Sequence, residues 1–185
     1  MAKFVLFLRG VNVGGVKVLM KDLATLLGEA GYGPVKTVLA SGNAILDAPH
    51  GAAPELRAHC EQLLADYYGR PIPALAFSAA EVHELAADFP VPVPEAAAEF
   101  HRYLTLCASE RDAQELYAAA APLADATVVA VRARSLCWIS PKGQSLETPV
   151  SKLVTAQARQ RIITTRNLNT LVKLSTIIRA QELGE

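Results

Sequence analysis

The sequence predicts an α+β fold of two ferredoxin-like halves of the βαββαβ type, packed together. In residues 1–88, short apolar runs typical of strands alternate with helical periodicity in the order β-α-β-β-α-β. Residues 98–185 begin the same order again and add helices at their end. Between the two stretches, the alternating prolines of residues 89–97 can sustain neither a helix nor a central strand. This segment is therefore the predicted connector.

In the first half, turn residues and helix caps separate the elements. Ser41-Gly42-Asn43 is a tight-turn signature between the two strands of a hairpin, and Pro54 suits the first turn of a helix. Ser78 with Glu81 fits a capping box, in which the hydroxyl and the carboxylate each accept a hydrogen bond from a backbone N–H. The predicted elements are strands at 3–8, 35–40, 44–46 and 72–77 and helices at about 19–28, 54–67 and 78–88.

The second half repeats this pattern with a less distinct ending. Its predicted elements are strands at 102–108, 127–131 and 136–139 and helices at about 111–121, 151–159 and 167–183. No clear last strand completes the second half. Ile162 and Ile163 are the best candidates for a short one.

The charge balance excludes one class of protein and leaves two interpretations open. The 185 residues carry 18 basic and 18 acidic side chains, which argues against an overall polybasic nucleic-acid binder. The charges are nevertheless segregated, because both ends of the chain are basic and the middle is acidic. If the ends meet in the fold, they make a positive surface that the net charge conceals. Otherwise the acidic middle simply offsets the basic ends.

Cysteine usage and hydropathy indicate the compartment. Cys60, Cys107 and Cys137 show neither CxxC nor metal-ligand spacing, which suggests a reducing compartment and inert core thiols. The opening apolar run is too short for a signal peptide, and no run approaches the ~18 apolar residues of a membrane helix. We therefore expect a soluble, cytoplasmic protein with no membrane segment, no metal and no cofactor. The oligomeric state is left open.

The segment from Arg9 to Lys17 connects the first strand to the first helix and is rich in glycine. Glycines allow backbone amides to converge on an anion, and a helix start adds the positive end of its dipole. The segment is no P-loop, because Lys17 comes one position late and Val18 replaces the required hydroxyl. The alternative is a sharp connection whose glycines permit positive φ angles.

Two further polar segments have a structural and a functional interpretation. Ser41 and Asn43 either complete a hairpin turn or contact a ligand at a strand end. In Thr164-Thr165-Arg166-Asn167, a threonine hydroxyl can cap the last helix. Arg166 beside a helix N-terminus is unfavourable unless something negative is near, because the dipole's positive end lies there. This favours either an acidic partner in the fold or a bound anion.

Enzyme signatures are missing from the sequence. It contains neither HExxH nor GxSxG, and its histidines lack spaced partners for zinc. Trp138 and the Tyr67-Tyr68 pair are interpreted as core and rim residues rather than as a base-stacking platform. Whether the protein is an enzyme is therefore left undecided.

Four segments, in order, resemble the bacterial domain-of-unknown-function 1697 family. The family pattern is LRGxNVGG, a Met-x-x-Leu pair, SGN and TTRNxxTxxKL, and Ser151-Lys152-Leu153 resembles a further SKL motif. Leu168 is a departure, since the family commonly has Trp there. The resemblance implies an α+β fold with ferredoxin-like halves. It implies no established activity, substrate or cofactor.

The leading functional hypothesis is a binding module for an anionic ligand, at one polar site built from both chain ends. A nucleotide, a phosphorylated metabolite or a nucleic-acid backbone would fit such a site. The alternatives are an enzyme acting on a small phosphorylated or carboxylated substrate, and a structural or protein-interaction role. The candidate ligand-binding residues are Arg9, Gly10, Asn12, Gly14, Gly15, Lys17, Ser41, Asn43, Arg166, Asn167 and Lys173.

Overall fold

The fold is mixed α+β and contains two four-stranded antiparallel sheets. The structure is a computed structural model that describes residues 1–13, 15–49, 53–93, 99–123 and 129–184. The chain divides into two compact units, one made of Met1–His83 with Leu174–Glu185 and the other of Glu84–Lys173. Residues 94–97 of the predicted connector and residue 98 lie outside the described residues, and the domain boundaries after residues 88 and 97 stay a prediction.

The first unit holds a sheet in the strand order β2-β3-β1-β4. Its elements are β1 (Ala2–Leu8), α1 (Met20–Glu29), β2 (Lys36–Thr37), β3 (Asn43–Ala48), α2 (Ala53–Tyr68) and β4 (Ala74–Ser78). Strand β2 is shorter than the predicted strand at 35–40. The reason is local: Leu39 adopts a φ of 62°, and the N–H of Val38 donates to Asn43 O (2.9 Å), so the chain already turns there.

Strand β1 is buried on both of its faces, which explains its continuous apolar sequence. Phe4, Leu6 and Leu8 pack into one core with residues of α1 and α2. On the opposite face, Phe7 meets Phe77 edge to face, with ring centroids 5.6 Å apart, and both side chains are fully buried. A strand buried on both faces does not show the alternation of a half-exposed one.

The second unit holds a sheet with the same order of strands, β6-β7-β5-β8. Its elements are β5 (Phe100–Cys107), α4 (Glu110–Ala120), a 3-10 turn (Ala121–Leu123), β6 (Val129–Arg132), β7 (Ser135–Pro141), α5 (Pro149–Gln157) and β8 (Ile163–Asn167). Two further helices, α3 (Ala79–Ala87) and α6 (Leu168–Leu183), contain the points at which the chain passes between the units. The first two residues of the strand predicted at 127–131 lie outside the described residues.

Strand β8 corrects one sequence-based interpretation. Thr164 to Asn167 are strand residues, paired antiparallel with β5, and not a threonine cap of the last helix. The side chain of Asn167 is the one that accepts a hydrogen bond at the start of α6, from the N–H of Asn169 (2.9 Å). The β-branched side chains of Ile163, Thr164 and Thr165 suit a pleated strand. For the two threonines, branching at Cβ was therefore a better indicator of the backbone conformation than polarity.

Helix caps follow the sequence signals closely. The predicted capping box is confirmed, since Ser78 N–H donates to Glu81 Oε2 (2.8 Å) and Glu81 N–H donates to Ser78 Oγ (3.3 Å). In the second unit, Ser109 Oγ accepts from the N–H of Asp112 (3.1 Å) at the start of α4. Each such cap satisfies a backbone donor that the first turn of a helix leaves without a partner.

The three cysteines are free and buried. Burial raises the pKa of Cys60 and of Cys107 to about 12 and the pKa of Cys137 to about 11. The thiols therefore stay protonated near neutral pH, as expected for core residues. Within the described part of the chain, no cluster of side chains suits a metal ion, and none of the helices is long and apolar enough to cross a membrane.

Candidate functional site

The glycine-rich connection between β1 and α1 is tightly folded. Gly10 has a φ of +66°, and the N–H of Asn12 donates to Val16 O (2.9 Å). A Cβ at Gly15 would lie 2.3 Å from Gly10 O, so no larger residue fits there without a shift of the backbone. Gly14, a candidate ligand-binding residue, lies outside the described residues. These contacts support the interpretation of this segment as a sharp connection.

Asn12 clamps this connection to the neighbouring turn. Its Nδ2 donates to Val18 O (2.9 Å) and to Ala40 O (2.8 Å), and its Oδ1 accepts from the N–H of Val18 (2.9 Å). Both polar atoms of the amide are thus engaged within the protein. The residue sits at a φ of 59°, in the left-handed region that asparagine tolerates better than most residues.

The Ser41-Gly42-Asn43 turn is likewise packed from within. Asn43 is fully buried, and its Nδ2 donates to Val38 O (2.7 Å) and to Ser41 Oγ (3.0 Å). Gly42 has a φ of +77°, and a Cβ there would come within 2.8 Å of the side chains of Leu8 and Val11. These three residues have structural roles, and a role in ligand binding stays a prediction.

The charged candidates differ widely in exposure. Arg9 is half-buried, and its backbone N–H donates to Pro73 O (2.9 Å). Lys17 and Lys173 are exposed. Arg166 is buried, with Nη1 donating to Thr164 Oγ1 (2.7 Å) and to Thr165 O (3.0 Å). Burial lowers the pKa of its guanidinium to about 10, which leaves the group charged at neutral pH.

Arg166 and Asn167 are consecutive residues of β8, so their side chains point to opposite faces of the sheet. Asn167 pairs with Tyr103 of β5 and shares a face with it. The side chains of Arg166 and Asn167 therefore lie in different surroundings. Asn167 is the one that reaches a cavity.

That cavity is polar and lies where β8 ends and α6 begins. It has a volume of about 100 Å³ and is lined by Phe100, His101, Arg102, Asn167 and Asn169. Strand β5 runs three residues beyond its last pair with β8, since the pairing stops at Tyr103 and Asn167. This step at the sheet edge leaves room between β5 and the start of α6.

The lining of this polar cavity is rich in hydrogen-bond donors. Arg102 is half-buried, and its guanidinium makes no hydrogen bond or ion pair within the described ranges of the chain. Asn167 Nδ2 lies 3.5 Å from His101 Nδ1. Among the described residues the lining includes no carboxylate. A cation and an amide, beside the positive end of the α6 dipole, suit an anion.

A second cavity of the same unit has an aromatic wall. It has a volume of about 270 Å³, and the rings of Tyr103 and Trp138 form one side, with centroids 4.7 Å apart and an angle of 32° between the planes. Trp138 is 3% exposed, so its predicted place in the core is confirmed. The other lining residues are Ser145, Leu146, Ser151, Val154, Thr155 and Thr165.

Sequence reasoning missed this aromatic cavity and the polar cavity's Arg102 and His101. A usable signal was present. His101, Tyr103 and Thr105 alternate along one strand, which puts them on one face of the sheet. Ser151 and Thr165, from two of the quoted motifs, line the same space. Neither segment shows this from its own sequence, because the strand pairing decides it.

The first unit has a cavity of its own, of about 250 Å³ and mostly apolar. The hydroxyl of Tyr32 hydrogen-bonds to His59 Nδ1 at its wall, and Glu55 lies one helical turn before His59. Burial raises the pKa of Tyr32 to about 12, so the phenol stays neutral. The cavity also contains Phe4 and Leu56, whose side chains belong to the core.

One further histidine has a serine and a carboxylate beside it. His83 Nδ1 lies 2.7 Å from Ser175 Oγ, and its Nε2 lies 3.7 Å from Glu182 Oε2. A nucleophile needs access to its substrate, and Ser175 is only 5% exposed. The arrangement links α3 to α6 within the first unit.

Comparisons with known proteins show the fold. The conserved bacterial protein SP0830 from Streptococcus pneumoniae has a similar structure, with a TM-score of 0.75 over 97% of this chain and 99% of that one. The two sequences are 21% identical, so the likeness concerns the fold alone. No curated protein matches the sequence.

A comparison with protein families gives a more specific result. A family model described as a protein of unknown function, DUF1697, matches residues 1–136. The match spans the whole first sheet and continues into β7 of the second. Since it covers well over half of the chain, the resemblance expected from the motifs is confirmed, and the protein belongs to the DUF1697 family.

Proposed function

We propose that this protein binds a small anionic ligand in the polar cavity beside the start of α6. The observation that carries the proposal is Arg102, a half-buried cation that lines a cavity without a carboxylate among its described residues. A partly desolvated guanidinium is stabilised by an anion with charge-assisted hydrogen bonds. Asn167 Nδ2 supplies a further donor at the same place.

The proposal keeps Asn167 from the sequence-based candidates and adds two neighbours. In this proposal Arg102 and His101 replace the basic residues of the sequence-based hypothesis, which are Arg9, Lys17, Arg166 and Lys173. A contribution of the N-terminal segment to the same site stays a prediction. We also propose that each sheet with its helices is a ferredoxin-like unit, which the strand order supports. The predicted cytoplasmic location is kept with it.

Calorimetric titration with inorganic phosphate and pyrophosphate at low salt tests the anion site. We expect Arg102→Gln to weaken binding about tenfold or more, because a hydrogen bond to a charged group contributes roughly 1.5–3 kcal/mol. The melting temperature should not change, since the guanidinium has no partner in the described chain.

Arg159→Gln is the matched control, because it removes the same charge from an exposed position of the same unit. Equal affinities of the wild type and of both variants would refute the site. Binding lost equally in both variants would show a general effect of net charge instead.

An enzyme acting on a small phosphorylated or carboxylated substrate is the second candidate. One observation favours it: His101 places a proton acceptor or donor in the cavity proposed for the anion. In that case His101→Gln should abolish turnover of an aryl phosphate or aryl ester while phosphate still binds. Absence of turnover in the wild type would leave the binding function alone.

A further inference from the structure

We propose that the ligand of this cavity carries a planar aromatic ring beside its anionic group, as a nucleoside monophosphate does. The ring would lie in the aromatic cavity lined by Tyr103 and Trp138, and the anion in the polar cavity at Arg102 and Asn167. The inference rests on the proposed anion site and adds the class of ligand.

His101, Tyr103, Thr165 and Asn167 line the two cavities from one face of the second sheet, whereas Arg102 lines the polar cavity from the end of β5 that extends beyond its pairing with β8. On β5, His101 lines the polar cavity and Tyr103 the aromatic one, two residues apart on the same face, with ring centroids 5.8 Å apart. On β8, Asn167 lines the polar cavity and Thr165 the aromatic one. Tyr103 and Asn167 are cross-strand partners. One ligand with a sugar-sized spacer can therefore occupy both.

Hydrogen bonds hold the aromatic wall in place. Trp138 Nε1 donates to Thr105 Oγ1 (3.0 Å), which is itself hydrogen-bonded to Thr165 Oγ1 (2.9 Å). These bonds hold the indole in place behind Tyr103, which is half-buried at the cavity. A planar ring can stack on such a surface without an ordering cost for the protein, and any base offers a suitable face.

Two aliphatic side chains also line the cavity, since Leu146 is 81% exposed and Val154 is buried. A ring in contact with Tyr103 and Leu146 would remove parts of both side chains from water. Hydroxyl groups also line the cavity. Ser151 Oγ donates to Thr148 O (2.9 Å), so its lone pairs can accept a hydrogen bond from a donor on the ring.

A volume of about 270 Å³ suits one ring system with a short spacer rather than a folded chain. The lining also lacks a charged side chain among its described residues, so the ring end of the ligand should be uncharged. The proposed ligand class is an aromatic ring joined to an anionic group. Nucleotides and simple aryl phosphates both belong to this class.

Trp138 makes the test direct, because it is the one tryptophan of the chain and lies in the cavity. Its fluorescence is followed during titration with adenosine monophosphate, phenyl phosphate, ribose 5-phosphate, inorganic phosphate and adenosine. We expect adenosine monophosphate to change the emission and to bind about tenfold or more tightly than ribose 5-phosphate. Phenyl phosphate binding as tightly as the nucleotide would assign the ligand to aryl phosphates.

Two variants separate the ring from the anion. Leu146→Ala should remove most of the advantage of adenosine monophosphate over ribose 5-phosphate and leave phosphate affinity unchanged. Leu123→Ala, an exposed leucine of the same unit, is its control. Arg102→Gln should weaken every anionic ligand and leave the binding of adenosine alone.

The outcomes distinguish the two proposals. Equal affinities for adenosine monophosphate and ribose 5-phosphate, with an Arg102-dependent phosphate site, would overturn this inference and leave the proposed function. Binding of adenosine without any anion binding would overturn the proposed function, and the joint ligand with it, while showing that the aromatic cavity takes a ring. A protein that binds none of these ligands would overturn both.

Discussion

The two sheets share one order of strands and differ in how they use asparagine. In the first unit, the amide of Asn12 bonds to backbone groups of Val18 and Ala40, and the amide of Asn43 donates to Val38 O and Ser41 Oγ. In the second unit, Asn167 Oδ1 accepts a hydrogen bond at the start of α6. Its Nδ2 lies 3.5 Å from His101 Nδ1, in a cavity that Arg102 also lines. Both kinds of asparagine lie in conspicuous polar motifs. Only their hydrogen-bond partners tell them apart.

The hydrogen-bond partners of an asparagine indicate whether its polar motif holds the fold together or can bind a ligand. An asparagine whose donors and acceptor are all satisfied internally contributes to stability, because removing it leaves backbone groups without partners. An asparagine with an amide N–H directed into a cavity can donate a hydrogen bond to a ligand there. The N-terminal segments thus favour a structural role, and the polar cavity of the second unit favours binding. Four experiments test this contrast.

Thiol reactivity should show the largest effect. Burial raises the pKa of all three cysteines, so an aromatic disulfide reagent at pH 8 should label the folded protein roughly a hundredfold or more slowly than the urea-unfolded chain. Mass spectrometry of the labelled peptides assigns each rate. Cys60 reports on the first unit and Cys107 with Cys137 on the second, so unequal rates show that one unit opens alone.

The raised pKa values of the cysteines also determine how the free energy of unfolding depends on pH. The thiols of the unfolded chain lose their protons near pH 9, before those of the folded protein do. We therefore expect the contribution of the thiols to the free energy of unfolding to be complete below about pH 9 and to be lost as the pH rises toward 12. Urea unfolding between pH 7 and 10 measures this dependence. In the labelling experiment, rapid labelling of the folded protein would contradict the burial of these side chains.

Gly42→Val should cost about 3–5 kcal/mol in the free energy of unfolding, through steric overlap and a left-handed φ of +77°. Its Cβ would come within 2.8 Å of the side chains of Leu8 and Val11. Gly28→Ala is the control, since a Cβ there meets open space, and in helix α1 it should add about 0.5–1 kcal/mol. Equal stabilities of the two variants would show that the turn is not tightly packed.

The asparagines themselves provide the smallest and most direct comparison. Asn12→Ala should cost about 2–3 kcal/mol, because three hydrogen bonds of about 1 kcal/mol each are lost. Asn167→Ala should cost only about 1 kcal/mol, the value of one cap. Phosphate affinity should fall in the second variant alone. A fall in the Asn12 variant instead would move the site to the first unit.

Much of the fold could be predicted from local pattern. The capping box at Ser78 and Glu81 needs only four consecutive residues, and the helix after Pro54 only its periodicity. Of strand β8, the local pattern indicated only Ile163, because Thr164 to Asn167 are polar and gain their strand conformation by pairing with β5. The φ of 62° at Leu39 and the hydrogen bond from Val38 N–H to Asn43 O likewise end β2 early.

The amino-acid sequence alone indicates the family, the α+β class and the order of elements up to α5, since each motif and each periodicity lies within a short stretch of the chain. Tertiary structure alone decided which polar residues have partners. Asn12 reaches Ala40, 28 residues away, and the cavity joins residues 100–102 to Asn167 and Asn169. Strand pairing brings such residues together, and a hydrogen bond or a cavity exists only once they meet.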